Sequence, residues 1–181
     1  LAHLRVELRH VDPLVWREFV VPVSVTLRKL HQILLTVMGW SGGHLHLFTA
    51  GHDQYGVPDP DFDGDDVLDE ARVRLSTLIR HRKTFTYLYD FGDGWEHKIT
   101  VKRVTPAIGP CPHPFFLVGE NACPPEDIGG PPGYSHFLTV MASPDHESHQ
   151  EMVEWHGALF DPKHFDAEAV GSALRAFTFR T

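Results

Sequence analysis

The chain has 181 residues, 42% of them hydrophobic and 22% charged, which suits one domain with a sizeable core or one domain with a helical extension. No apolar run approaches the roughly 18 residues of a bilayer span, and no secretory signal is read, so the expectation is a cytoplasmic protein without a membrane partner. A formal charge of -8 opposes wrapping a phosphate backbone, so nucleic acid is not the expected partner, although Arg80, Arg82 and Lys83 form a local basic group. The two cysteines, Cys111 and Cys123, do not make a disulfide framework, whereas 14 histidines invite a position-by-position test for metal. Leu1 leaves the natural start of the chain open.

Leu4, Val6 and Leu8 alternate with Arg5, Glu7 and Arg9, the period of two of a half-buried strand. Asp12-Pro13 turns the chain into a second strand, Trp16 to Val23, with Val15, Phe19, Val21 and Val23 on one face and Pro22 suggesting an edge. Leu27, Leu30, Ile33, Leu34, Val37 and Met38 recur at helical steps between an N-cap at Ser24 or Thr26 and a stop at Gly39. Residues 44–50 alternate again as a third strand, with His44, His46 and Phe48 on one face, and residues 51–70 read as an acidic loop. After a short apolar piece at Leu75, Leu78 and Ile79, residues 84–104 read as a hairpin turning at Asp93-Gly94.

The fold class expected is α+β: an antiparallel or mixed sheet built from hairpins with a helix packed across it, β-grasp-like, followed by short C-terminal helices. A single domain spans 1–181, with a sheet and helix core at 1–105, a Pro/Gly-rich loop at 106–133 and a helical extension at 134–181. The extension is read as three helices seeded at Tyr134, Asp145 and Asp166, with Ser143-Pro144 as one start.

Four constellations concentrate polar chemistry. If Asp93-Gly94 is a two-residue turn, Asp90 faces His97 across the hairpin, a carboxylate–imidazole pair that either ligates a metal or orients a base, or simply satisfies itself. His44 and His46 are spaced to meet one metal ion on a strand, or to form a polar strand face. In Cys123-Pro124-Pro125-Glu126-Asp127-Ile128-Gly129-Gly130, prolines and glycines fix a backbone that presents two acids, either to a ligand or to neighbouring backbone. Asp59, Asp61, Asp63, Gly64 and Glu70 match a calcium-loop pattern, but Pro58 and Pro60 obstruct the helix such a loop needs. His146 and His149 read as a polar helix face. No Walker loop, Rossmann glycine pattern, G-x-S-x-G elbow or C-x-x-C pair occurs, which weighs against nucleotide, dinucleotide and serine-hydrolase readings.

Trp16-Arg17, the Leu30-His31 helix ending Met38-Gly39-Trp40, the His44-Leu45-His46 strand, the YDFGDGWEH hairpin and the CPPEDIGG loop together resemble the plasmid pRiA ORF-three-like family. The likeness runs from about residue 4 to about residue 177, including Trp155 and Phe160-Asp161-Pro162 through Phe165-Asp166. Members are also described as passenger proteins of bacterial insertion sequences, so the resemblance implies a bacterial α+β domain, accessory to a mobile element and of unassigned activity. It implies no catalytic residues. A resolvase role, attached to some passengers, needs a positioned nucleophile and clustered arginines that this acidic chain does not display.

Two functions follow. In one, the chain is a binding module for a protein or small ligand, with Tyr87, Tyr89, Trp95 and Tyr134 as contacts. In the other, Asp90, His97, Glu126 and Asp127, joined by His44 and His46, hold a divalent ion that activates water for hydrolysis.

Overall fold

The structure, a computed structural model, describes residues 1–58 and 67–179. Strands β1 (Ala2–Leu8) and β2 (Trp16–Val21) form the first hairpin. Pro22 follows β2 directly, removing the backbone donor that a longer strand would need. Helix α1 (Leu27–Met38) has the predicted limits: the Thr26 hydroxyl accepts from Lys29 N at 3.3 Å, and Gly39, at φ 90°, bonds Leu35 O at 2.8 Å. Its buried stripe is the one the sequence marks, Leu27, Leu30, Ile33, Leu34, Val37 and Met38.

Beyond α1 lie β3 (His46–Ala50), β4 (Asp53–Gly56), β5 (Val67–Asp69), α2 (Leu75–Ile79), β6 (Thr84–Tyr89), β7 (Trp95–Val104) and β8 (Phe115–Glu120). Helices α3 (Gly130–Met141), α4 (His149–His156) and α5 (Ala167–Leu174) complete the order. Among the described residues the result is an α+β fold on one mixed eight-stranded sheet, ordered β5-β4-β3-β6-β7-β1-β2-β8, in which only β4 and β5 pair in parallel. No helix of the described residues is long and apolar enough to cross a membrane.

Several expectations are corrected. Strand β3 begins at His46, leaving His44 in the preceding loop. The segment 51–70 contains β4 and β5, too short for a periodic pattern to register. The Pro/Gly-rich segment 106–133 contains β8, which zips onto β2 and leaves Phe115, Leu117 and Val118 exposed. Ser143-Pro144 lies ahead of α4 rather than at its start, whereas the Asp166 carboxylate does cap α5, accepting from Ala169 N at 2.8 Å.

The largest correction is the β6–β7 hairpin. Tyr89 pairs with Trp95 and Tyr87 with His97, so the connection is the five residues from Asp90 to Gly94, not a two-residue turn. Asp90 adopts φ 56°, its Oδ1 accepts from Gly92 N at 3.0 Å, and its carbonyl accepts from Gly94 N at 2.7 Å. This local capping outcompetes the tighter turn, and it takes Asp90 out of the ladder opposite His97.

One side chain locks sheet, helix and loop together. Arg17 is 1% exposed, between Trp16 and Glu18 on β2, yet among the described residues no carboxylate pairs with it. Its guanidinium donates instead to the carbonyls of Val37 (3.0 Å), Trp16 (2.8 Å), Glu120 (2.6 Å) and Asn121 (2.8 Å), and lies 3.7 Å over the Phe165 ring. Burial lowers its pKa to about 10, which keeps it charged at neutral pH. Arg17→Ala strands these carbonyls, and urea unfolding is expected to show a loss of at least about 3 kcal/mol. Arg17→Lys restores charge but not the planar fork, and is expected to recover only part of that loss. A loss below about 1 kcal/mol in the Ala variant contradicts this role.

Candidate metal centre

Three loops meet at one end of the sheet: the α1–β3 loop, the β6–β7 hairpin loop and the Cys123–Gly130 loop. The third docks tightly on the second, for Gly129 N donates to Asp93 Oδ2 at 3.2 Å. Gly130, at φ 67°, lies so close that a Cβ there would stand 2.2 Å from the Asp93 carbonyl oxygen. Trp40 Nε1 ties the first loop to the third through Pro124 O at 2.8 Å.

Each loop contributes one side chain to a common point. His44 Nδ1 is 3.4 Å from Asp90 Oδ2, and His44 Nε2 is 3.4 Å from Asp127 Oδ1. One potential ligand atom from each of these residues lies within 4.8 Å of the others. The 3.4 Å separations are long for N–H···O hydrogen bonds, so the trio is a close grouping of donors and charge rather than a closed network. Asp90 and Asp127 both hold left-handed backbone, at φ 56° and 61°, a conformation that costs non-glycine residues about 1 kcal/mol or more and clusters at functional sites. Among the described residues, neither carboxylate is ion-paired with Lys or Arg.

Glu126 stands beside the trio but is committed. Its Oε2 accepts from Ser41 N (2.8 Å) and Ser41 Oγ (2.5 Å), and its Oε1 from Tyr89 OH (2.6 Å) and Gly42 N (3.3 Å). Burial acts to raise its pKa, but the hydrogen bonds from Ser41, Tyr89 and Gly42 outweigh it and hold the carboxyl below its usual range. Burial first, and then this carboxylate, push the Tyr89 phenol well above its usual range, so Tyr89 remains the donor.

The other predicted ligands lie elsewhere. His46 Nε2 contacts Glu70 Oε2 at 2.7 Å, and its ring stacks 3.5 Å from that of His31, whose Nδ1 meets Tyr87 OH at 2.7 Å. Burial and, after it, the neighbouring His46 lower the His31 pKa to about 4. Because Arg28 also reaches Glu70 at 3.6 Å, the last carboxylate of the calcium-loop pattern is already engaged inside the fold. Asp59, Asp61, Asp63 and Gly64 lie outside the described residues. His97 is wholly buried against Tyr87 and Trp40, away from Asp90's register position. Tyr87, Tyr89, Trp95 and Tyr134 are also core residues, at most 1% exposed, so they offer no aromatic contact surface. Helix α1 lies against the face that alternation alone leaves open, His31 meeting Tyr87 and Tyr89 there. His146 and His149 serve backbone: Ser148 N donates to His146 Nδ1 at 3.1 Å, and His149 Nδ1 pairs with Val140 O at 2.8 Å.

Of the residues the sequence singles out, the structure brings His44, Asp90 and Asp127 together with Glu126 beside them, whereas no sequence signal marks Ser41 and Gly42 as partners of that carboxylate. The Gly42-Gly43 pair marked a loop, though nothing in it disclosed a carboxylate receiver.

The family model described as plasmid pRiA4b ORF-3-like protein matches residues 1–169. The chain belongs to that family. It is 44% identical over 160 residues to the uncharacterized protein y4hQ of Sinorhizobium fredii (strain NBRC 101917 / NGR234), covering 87% of this chain and 81% of that protein. The fold matches the crystal structure of a protein of unknown function, MM3350 from Methanosarcina mazei Go1, with a TM-score of 0.84 at 32% identity, over 92% of this chain and 95% of that one. These family relatives are uncharacterised, so the site's chemistry has to be argued from its own atoms.

The buried histidine yields a pH prediction. His97 pairs Nδ1 with Tyr87 O at 3.1 Å, while Nε2 has no hydrogen-bond partner among the described residues, and burial, outweighing the backbone hydrogen bonds, lowers its pKa to about 4. Protonation is therefore easier in the unfolded chain, and this contribution to stability is complete above the ordinary value of 6.5 and is lost as pH falls from 6.5 toward 4. Between pH 7.5 and 5 the loss from this residue is on the order of 2 kcal/mol. Urea unfolding at those pH values is expected to show that His97→Leu lacks this increment, and an unchanged pH dependence would refute the assignment.

Proposed function

We propose that the chain is a ligand-binding module whose ligand is a divalent metal ion held by His44, Asp90 and Asp127. The observation that carries the reading is the convergence of their ligand atoms within 4.8 Å of one another from three separate loops. An imidazole with two carboxylates is a mixed nitrogen–oxygen set suited to first-row divalent metals. A dication would balance the two carboxylates, whose one ionisable neighbour among the described ion pairs is the His44 imidazole. Three protein ligands leave further coordination positions, and a cleft of about 290 Å³ bounded by Met152 and Trp155 adjoins one of them, Asp127.

Binding is favoured over hydrolysis by the state of Glu126. A general base needs a free lone pair directed at water, whereas both oxygens of Glu126 already accept from Ser41, Gly42 and Tyr89. The accessory role in a mobile element rests on family resemblance, not on the site. We also read the chain as one domain, β-grasp-like in laying α1 on the sheet, since a continuous apolar core runs from Ala2 to Leu174. Free thiols at Cys111 and Cys123 support a reducing, cytoplasmic setting.

Calorimetric titration of tag-free, chelator-dialysed protein with Zn²⁺ and with Mn²⁺ tests the site. The expected result is one tight equivalent, weakened at least about tenfold by His44→Ala and by Asp90→Asn. No tight equivalent, or one that both variants leave untouched, would sink the proposal.

A further inference from the structure

We infer that Glu126 is the positioning residue of the cation site, the side chain that sets the three loops at ligand spacing without itself coordinating. This inference rests on the cation reading above. The three ligands are remote in sequence, at positions 44, 90 and 127, and each stands on a loop rather than on a strand or helix. A cation site demands ligands held to within about 0.5 Å, so some contact must fix the loops relative to one another.

Glu126 supplies that contact to both of the other loops at once. Oε2 holds Ser41 through N–H and hydroxyl, and Oε1 holds Gly42 N–H, two residues before His44. Oε1 also takes the Tyr89 hydroxyl, and Tyr89 immediately precedes Asp90. Glu126 itself immediately precedes Asp127. Every ligand is therefore one or two residues from an atom bonded to, or belonging to, this carboxylate. Among the described hydrogen bonds, Trp40 joins only the first and third loops, Asp93 only the second and third, and Asp90 N, which donates to Leu45 O at 2.9 Å, only the first and second, so none of them reaches all three as Glu126 does. The Tyr89 ring is packed between Trp40, stacked at 5.1 Å, and His44, edge-on at 5.7 Å, which leaves its hydroxyl little freedom to find another acceptor.

The chemistry requires a carboxylate. Every partner presents a hydrogen, and an amide at this position replaces one accepting oxygen with an NH₂ group aimed at N–H or O–H donors. Glu126→Gln is nearly isosteric, so it perturbs the hydrogen bonds without opening a cavity. Tyr89→Phe removes one donor and keeps the core ring.

The experiment is titration of the full chain with Zn²⁺ by calorimetry and with Co²⁺ by visible absorption, in the parent, Glu126→Gln, Tyr89→Phe and the double variant. Glu126→Gln is expected to bind about 10- to 100-fold more weakly, the effect of losing a group that orients ligands, with an altered Co²⁺ band because ligand geometry changes. Tyr89→Phe is expected to weaken binding less, and to add little in the Glu126→Gln background, because the two act through one bond. Should Glu126→Gln fail to fold, Tyr89→Phe carries the test: reduced affinity with a shifted Co²⁺ band supports the inference, and parental values overturn it. If the parent binds one equivalent that depends on His44 while folded Glu126→Gln keeps its affinity within about twofold and its spectrum, positioning by Glu126 is wrong and the site stands. If the parent binds no cation, the site itself is wrong.

Discussion

Tyr89 pairs with Trp95, and this closes the β6–β7 ladder one residue before Asp90, a register from which the candidate site takes its form. It turns Tyr87, Tyr89, Trp95 and His97 into the core and leaves Asp90 in a five-residue loop with left-handed backbone. It also aims the Tyr89 hydroxyl at Glu126, the carboxylate next to Asp127. Because side chains alternate along a strand, a slip by one residue would reverse every one of these directions. Burial of the aromatic face under α1 opposes such a slip, so the same hydrophobic packing that stabilises the sheet fixes the chemistry at its end.

The fold was legible where periodicity and caps agreed. Helix α1 shows a complete apolar stripe between Thr26 and Gly39, and both caps are used as their chemistry suggests. β8 escaped notice because its outer residues stay exposed at a sheet edge, and β4 and β5 because each is four residues or fewer. Arg17 was in principle readable. It has the same strand parity as Phe19 and Val21, so the alternation that buries them buries it too, yet its partners are backbone carbonyls that no sequence pattern advertises.

The candidate site was half legible for a similar reason. Residue type and local rigidity singled out His44, Asp90, Glu126 and Asp127. Their division of labour depends on tertiary contacts: Glu126 faces donors from two other loops, while Asp90 and Asp127 face one imidazole. Strand geometry sends His46 to Glu70 and His97 to the core, away from His44, Asp90 and Asp127. The hairpin count went wrong at Asp90, where a carboxylate capping its own loop decided the turn, and cross-strand counting carries no term for that competition.

The most direct test of the three-loop centre is anomalous diffraction at the zinc edge from crystals of the tag-free protein grown with Zn²⁺. A strong peak is expected about 2.0–2.2 Å from a His44 ring nitrogen and from carboxylate oxygens of Asp90 and Asp127. Density confined to His31 and His46, or to surface histidines, with none at His44, would contradict it.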